Sequence, residues 1–363
     1  MAGLKHTLLK YSLKLLPDRK LFCPLPFKYM EITTGGRTSL CCYLNKSPGI
    51  IEDNNVIDIY NSPSAQKIRA SILDGTFRYC DLDLCPHFSS GDLPLQKDCT
   101  GTPFEDIVTN NITVLDKKSI WITFDRRCNL RCISCRADFV KYSESDHKTA
   151  ERLLGSVKSV LSQLDQIGLC GNGDPFVSPP LRDFLYSFNA SDYPQLKITL
   201  LTNGLLFNEQ TWDSMKRGRG ALKSIQVSID AATKETYERI RMGGAFDKLM
   251  NNLFFMSQLR KQNLIKEFII SFVVNAINFS EMDAFVGLGI ELGCDQVYFS
   301  YMGDWGSLSK KEYAELAVHL PTHPLHEEFR KKLEGNFFNN PIVLLGNVKR
   351  FKARSVLRDS LFS

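Results

Sequence analysis

From Lys118 onward the chain alternates short apolar runs with longer amphipathic stretches. The runs at 120–124, 166–170, 197–201, 224–229, 268–274 and 296–300 predict six strands. Stretches of helical period lie among them, at about 147–164, 180–188, 208–216, 246–261 and 280–292. Strand and helix in alternation predict a parallel sheet of the α/β class. Residues 1–105 read differently, as short apolar runs punctuated by Cys, Pro and Gly. There, 64–73 predicts a helix, and 29–33 with 38–43 predict a hairpin turning on Gly35-Gly36, a good tight-turn dipeptide. Leu4, Leu8, Leu9, Leu13, Leu15 and Leu16, interrupted by lysines, predict a short amphipathic helix in 1–20. Packing on its own domain accounts for that helix better than a membrane surface does. The tail, 306–363, reads as connecting helices, and no internal repeat stands out.

Composition refines this picture. A chain of 363 residues, 43% hydrophobic, suits one large domain and a small one. Its net charge of +5 is spread along the sequence, which argues against a nucleic-acid surface with its clustered basic footprint. No run has the length of a signal core or a membrane span. The expected setting is a reducing cytoplasm, where the 11 cysteines keep their thiols available for metal.

The chemistry concentrates at Cys128, Cys132 and Cys135, spaced Cys-x3-Cys-x2-Cys just after the first strand. Three thiolates on one loop can hold three irons of a cubane, which usually takes four cysteines, so one iron stays open. Open metal positions are where chemistry occurs. The rival reading is a zinc site, but zinc knuckles usually pair with a second knuckle or two histidines, and none follows Cys135 nearby.

This triplet resembles the signature of the radical S-adenosylmethionine (radical SAM) enzymes. The resemblance implies that SAM chelates the open iron by its amino and carboxylate groups. It also implies that an electron from the cluster splits SAM to methionine and a 5′-deoxyadenosyl radical, which takes hydrogen from substrate. The implied fold is a partial (β/α)6 TIM-like barrel over 115–305, preceded by a small cysteine-rich domain over 1–105. Working residues of such barrels collect after strand C-termini. There Gly171, Gly173 and Asp174, in Gly171-Asn172-Gly173-Asp174, look like the family's Gly-Gly-Glu segment, with Asp in place of Glu. Thr202 and Asn203 after the third strand, Ser228 and Asp230 after the fourth, and Asn275 after the fifth are similar to segments lining the SAM cleft. Arg241 has two readings, a partner of SAM carboxylate or substrate, or a surface helix cap. Ser134 stands where the family often has an aromatic residue.

A second cysteine set resembles part of the SPASM or twitch extension, which binds an auxiliary 4Fe–4S cluster. It comprises Cys23, Cys41, Cys80 and Cys85, with Cys42, Cys99 or His87 as substitutes. The same four thiols suit structural zinc. In the family this extension usually follows the barrel, whereas here it precedes it. Cys170 and Cys294 read as core residues, and Cys170 alternatively as a hydrogen donor to a substrate radical.

The expected function is therefore a radical SAM oxidoreductase or epimerase acting on a small-molecule substrate, with a sugar-containing metabolite as the candidate. A flavodoxin or ferredoxin would donate electrons. A peptide maturase is the alternative enzyme, and a metal-binding scaffold the non-catalytic one.

Overall fold

Six apolar runs become six strands with ends within two residues of expectation. The computed structural model describes residues 20–352, apart from 53, 54, 83, 84, 90, 92, 170 and 305. The helix expected in 1–20, Cys170 and the last residues of the tail lie outside the described residues. Two compact units divide the chain: 1–125 with 143–169 and 193–197, and 126–142 with 170–192 and 198–363.

In the first unit, β1 (Met30–Ile32) pairs antiparallel with β2 (Thr38–Ser39), Glu31 opposite Ser39 and Ile32 opposite Thr38. The hairpin forms where expected but is shorter. Its turn, Thr34–Gly36, puts Gly35 and Gly36 at φ 75° and 79°. At Gly36 a Cβ would stand 2.7 Å from the Ile51 carbonyl oxygen, so only glycine fits. A feature absent from the sequence expectation is the parallel pairing of β1 with β3 (Ser119–Ile122), which in turn pairs parallel with β4 (Gln166–Leu169). The helix Pro63–Leu73 is capped by Ser62, which accepts from the Ala65 amide. Arg69 on this helix is wholly buried. Its guanidinium donates to the Pro26, Tyr60 and Thr113 carbonyls and to Asn61 Oδ1 at 2.9–3.0 Å. One cation thus ties four chain segments together without a carboxylate.

The second unit carries β5 (Lys197–Thr202, all but its first residue), β6 (Leu222–Ser228), β7 (Glu267–Val274), β8 (Gln296–Tyr301) and β9 (Val343–Leu344). Each is parallel to the next. The last was not expected, because two residues of the tail are too few to show a pattern. Ile225, Val227, Ile270, Phe272, Val297 and Phe299 are fully buried, as continuous Val/Ile/Phe runs in parallel strands should be. The helices Pro179–Ser187, Glu209–Ser214, Lys234–Ile240, Phe246–Lys261 and Met282–Leu292 intervene. Ser178, Asn208 and Thr233 cap three of them with side-chain oxygens. No helix among the described residues is long and apolar enough to cross a membrane.

Candidate active site

The triplet loop lies wholly in the second unit. Arg126 donates its amide to the Tyr142 hydroxyl at 2.6 Å, and the Arg127 guanidinium lies 4.6 Å from the Tyr142 ring centre. Further on, Arg131–Cys132 pairs antiparallel with Arg241–Met242, Cys132 opposite Arg241. Cys128 is half-buried, Cys132 buried and Cys135 exposed.

Each thiol meets a side-chain N–H donor from a different residue, and Cys128 also accepts from the Leu130 amide. Asn203 Nδ2 lies 3.7 Å from Cys128 Sγ, Arg241 Nη1 lies 3.8 Å from Cys132 Sγ, and Arg136 Nη2 lies 3.5 Å from Cys135 Sγ. Burial pushes the Cys132 thiol up to about 11, against the pull of Arg241. Burial raises the Cys128 thiol as well. Metal would therefore displace protons from both.

Asn203 also donates to Asn129 Oδ1 at 2.8 Å, inside the loop. Arg136 donates to the Arg126 carbonyl at 2.9 Å and to the Asn172 carbonyl at 2.6 Å. Arg136 does not stand out in the sequence, where its position directly after the last thiol is the only signal. Asp174 donates its amide to the Arg127 carbonyl at 2.8 Å. Its buried carboxylate accepts from the Thr202 hydroxyl at 2.7 Å, the Asn203 amide at 2.9 Å and the Phe176 amide at 3.0 Å. Burial raises its pKa, opposed by these hydrogen bonds.

Asp230, at φ 66°, pairs with Arg241 Nη2 at 2.7 Å, both buried. Its other oxygen accepts from the Val273 amide at 2.8 Å. Burial works against the charge of Arg241, but Asp230 and Cys132 outweigh it and keep the guanidinium protonated. Arg241 stands at the C-cap of the helix Lys234–Ile240, buried rather than on the surface, and its Nε has no hydrogen-bond partner. Asn275 is fully buried, its Oδ1 accepting from the Ile277 amide at 2.9 Å. Ser228 is half-buried and accepts from the Ser271 hydroxyl at 3.3 Å. Gly171 is exposed and Gly173 half-buried. Gly204, at φ 80°, closes the Thr202-Asn203-Gly204 turn; a Cβ there would lie 2.8 Å from Leu249 Cδ1 and Val227 Cγ1. Cys294 is buried just before β8, its thiol pushed up to about 12 by burial. That matches the core role expected of it.

In the first unit, Cys23, Cys41, Cys80 and Cys85 line one cavity with Leu25, Pro26, Tyr43, Leu44, Phe77, Leu82, Phe88 and Leu93. Burial pushes Cys23 up to about 11. Cys42 is exposed and does not line the cavity, although its thiol hydrogen-bonds with that of Cys41. Cys99 is buried and outside the lining, near the Leu95 carbonyl at 3.8 Å. His87 is exposed and outside it too. Among the described residues, no three His, Cys, Asp or Glu side chains converge on a point fit for one ion.

Two family models match the chain. The radical SAM superfamily model matches 122–288, and the SPASM iron–sulfur cluster-binding domain model matches 23–100. The chain carries a radical SAM superfamily domain, ahead of which lies a SPASM domain. Its fold is the α/β partial barrel of that superfamily, with the SPASM domain ahead of it in the sequence. Among its relatives, the GTP 3′,8-cyclase of Clostridium acetobutylicum is 27% identical over 176 residues, 47% of this chain and 52% of that protein. The enzyme of the same name from Peptoclostridium acidaminophilum is 26% identical over 184 residues, 50% and 54% of the two chains. The chain spans about half the length of the curated relatives it matches. Streptococcus suis SuiB bound to S-adenosylmethionine is 15% identical, covering 63% of this chain and 47% of that one, at a TM-score of 0.40.

The cofactors of a radical SAM protein with a SPASM domain are SAM and 4Fe–4S clusters. The donor sets fit them. Iron–sulfur clusters are held by cysteine thiolates, and hydrogen bonds to those sulfurs are part of their surroundings; every triplet thiol has such a donor. A cubane takes its cysteines one per iron, so thiols arranged around a cavity suit it better than thiols converging on a point. The first unit supplies that arrangement.

Proposed function

We propose that this chain is a radical SAM oxidoreductase or epimerase of a small molecule, with dehydrogenation the favoured outcome. The observation that carries the reading is the triplet loop with an N–H donor on every thiol, tied to the loops after successive strands. In this reading Cys128, Cys132 and Cys135 hold the catalytic cluster. Cys23, Cys41, Cys80 and Cys85 hold the auxiliary one, in a domain over 1–105, and the barrel over 115–305 carries SAM. A cluster held there by Cys128, Cys132 and Cys135 would supply one-electron reductive chemistry to SAM.

The chain's own residues have defined tasks. Gly171 and Gly173 let the amino end of SAM approach the main chain, because they carry no Cβ. Ser228 offers a half-buried hydroxyl to the ligand. Asp174, Thr202, Asn203, Asp230 and Asn275 hold the shape of the cleft through the hydrogen bonds they make to the protein. An orderly cleft excludes side reactions of a radical and leaves the hard chemistry to the cofactor.

Relatives named for GTP support a small-molecule substrate over a peptide. A second redox centre supports dehydrogenation, since it gives the second electron somewhere to go. A flavodoxin or ferredoxin is the proposed electron source.

Anaerobic reconstitution with iron and sulfide, followed by dithionite and SAM, tests the reading. It should yield 5′-deoxyadenosine, and Ala at Cys128, Cys132 or Cys135 should abolish that yield. A reconstituted chain that releases none, or that carries zinc at the triplet, overturns it. Modification of a peptide without turnover of nucleotide or sugar substrates overturns the substrate class alone.

A further inference from the structure

We propose that Arg136, Asn203 and Arg241 set the reduction potential of the cluster at the triplet, with Arg136 the strongest and Asp230 acting against them. The inference rests on the reading of the triplet as a cluster site. It goes further by giving the residues around the ligands a redox task.

Reduction places an added electron partly on the ligand sulfurs. Hydrogen bonds to those sulfurs and nearby positive charge favour the reduced form, and both are recognised levers on cluster potential. Each thiol has one such side-chain donor, from three separate places in the sequence. Their charges differ. Asn203 brings a neutral amide. Arg241 brings a cation, but Asp230 lies 2.7 Å away with both groups buried, so the pair is close to neutral as seen from Cys132. The other hydrogen bonds of Arg136 go to the carbonyls of Arg126 and Asn172, which carry no net charge. Its positive charge is therefore uncompensated by those partners, in a side chain that is itself buried. Low solvent exposure leaves such a charge weakly screened.

These differences give a ranking with opposite signs, which loss of structure alone would not produce. Arg136→Gln removes the uncompensated charge and should shift the reduction equilibrium of the triplet cluster toward the oxidised form about tenfold, or 59 mV for one electron. Arg136→Lys keeps the charge and should move it less. Asp230→Asn leaves Arg241 uncompensated and should shift the equilibrium toward the reduced form.

The measurement is an anaerobic potentiometric titration of the full chain, followed by electron paramagnetic resonance. The signal followed is the one that Cys128→Ala removes, and iron content is determined on each sample. A wild-type potential in Arg136→Gln at equal iron content overturns the inference, and so does a shift of the same sign in Asp230→Asn. If Asp230→Asn does not fold, the Gln and Lys variants at Arg136 decide between them. Release of 5′-deoxyadenosine by the same wild-type sample separates this result from the functional reading, which can stand while the potentials refuse to move.

Discussion

The Asp174 carboxylate holds the main chain of Asn203. One oxygen accepts the Asn203 amide at 2.9 Å and the Thr202 hydroxyl at 2.7 Å, and the other accepts the Phe176 amide at 3.0 Å. All three partners donate. In Asp174→Asn an NH2 group must face one of them, leaving buried donors unmatched. The expected cost is about 2–3 kcal/mol, read as a lower thermal midpoint of the metal-free protein. Asp174→Glu, one methylene longer in a wholly buried site, should also destabilise.

Arg69 gives a second stability test in the other unit. Charge-assisted hydrogen bonds contribute about 1.5–3 kcal/mol each, and this side chain makes four of them. Relief of the buried charge offsets part of that. Arg69→Met should still destabilise by at least about 3 kcal/mol, measured by denaturant unfolding. A midpoint equal to wild type would mean that the buried charge costs as much as its bonds return.

His319 predicts an acid limb of stability. It is 6% exposed and stacks on Tyr301 with ring centres 4.2 Å apart. Tyr313 lies 3.4 Å from its Nε2, and Arg350, His326 and His323 are the nearby charged or titratable groups. Burial, helped by Arg350, pulls its pKa from 6.5 to about 4. The unfolded chain therefore takes up this proton first as pH falls. Stability is fully present above about pH 6.5 and drains away toward pH 4, by about 3 kcal/mol in all. His319→Phe keeps the stacked ring and should flatten that limb. An unchanged slope between pH 6.5 and 4 would assign it to other groups.

The two cysteine sets should separate in a pair of assays. Cys23→Ala with Cys80→Ala should lower the iron content by about four per chain. Release of 5′-deoxyadenosine should continue while substrate conversion falls. Equal loss in both assays would argue against separate roles.

Much of the fold was legible because its principal strands are long and apolar. Glu267–Val274 reads as strand without any partner in view. Met30–Ile32 and Val343–Leu344 do not, since three and two residues carry no periodicity; their pairing with β3 and β8 is decided by the tertiary fold. The site was legible through its spacing. Cys128, Cys132 and Cys135 announce themselves, whereas Arg136 is one arginine among many until its donors are seen to meet Cys135 and Asn172. Asp174 and Asp230 stood out as polar residues at strand ends. That their carboxylates would be engaged by Asn203 and Arg241 depends on burial, which a single sequence does not display.

Tyr142 closes a circuit of anchors. Its hydroxyl receives the Arg126 amide, while Arg136, through the Asn172 carbonyl, and Asn203, through Asn129, fasten the rest of the loop to neighbouring turns. The three thiols therefore share one set of supports, so a change at any single anchor reaches all of them at once.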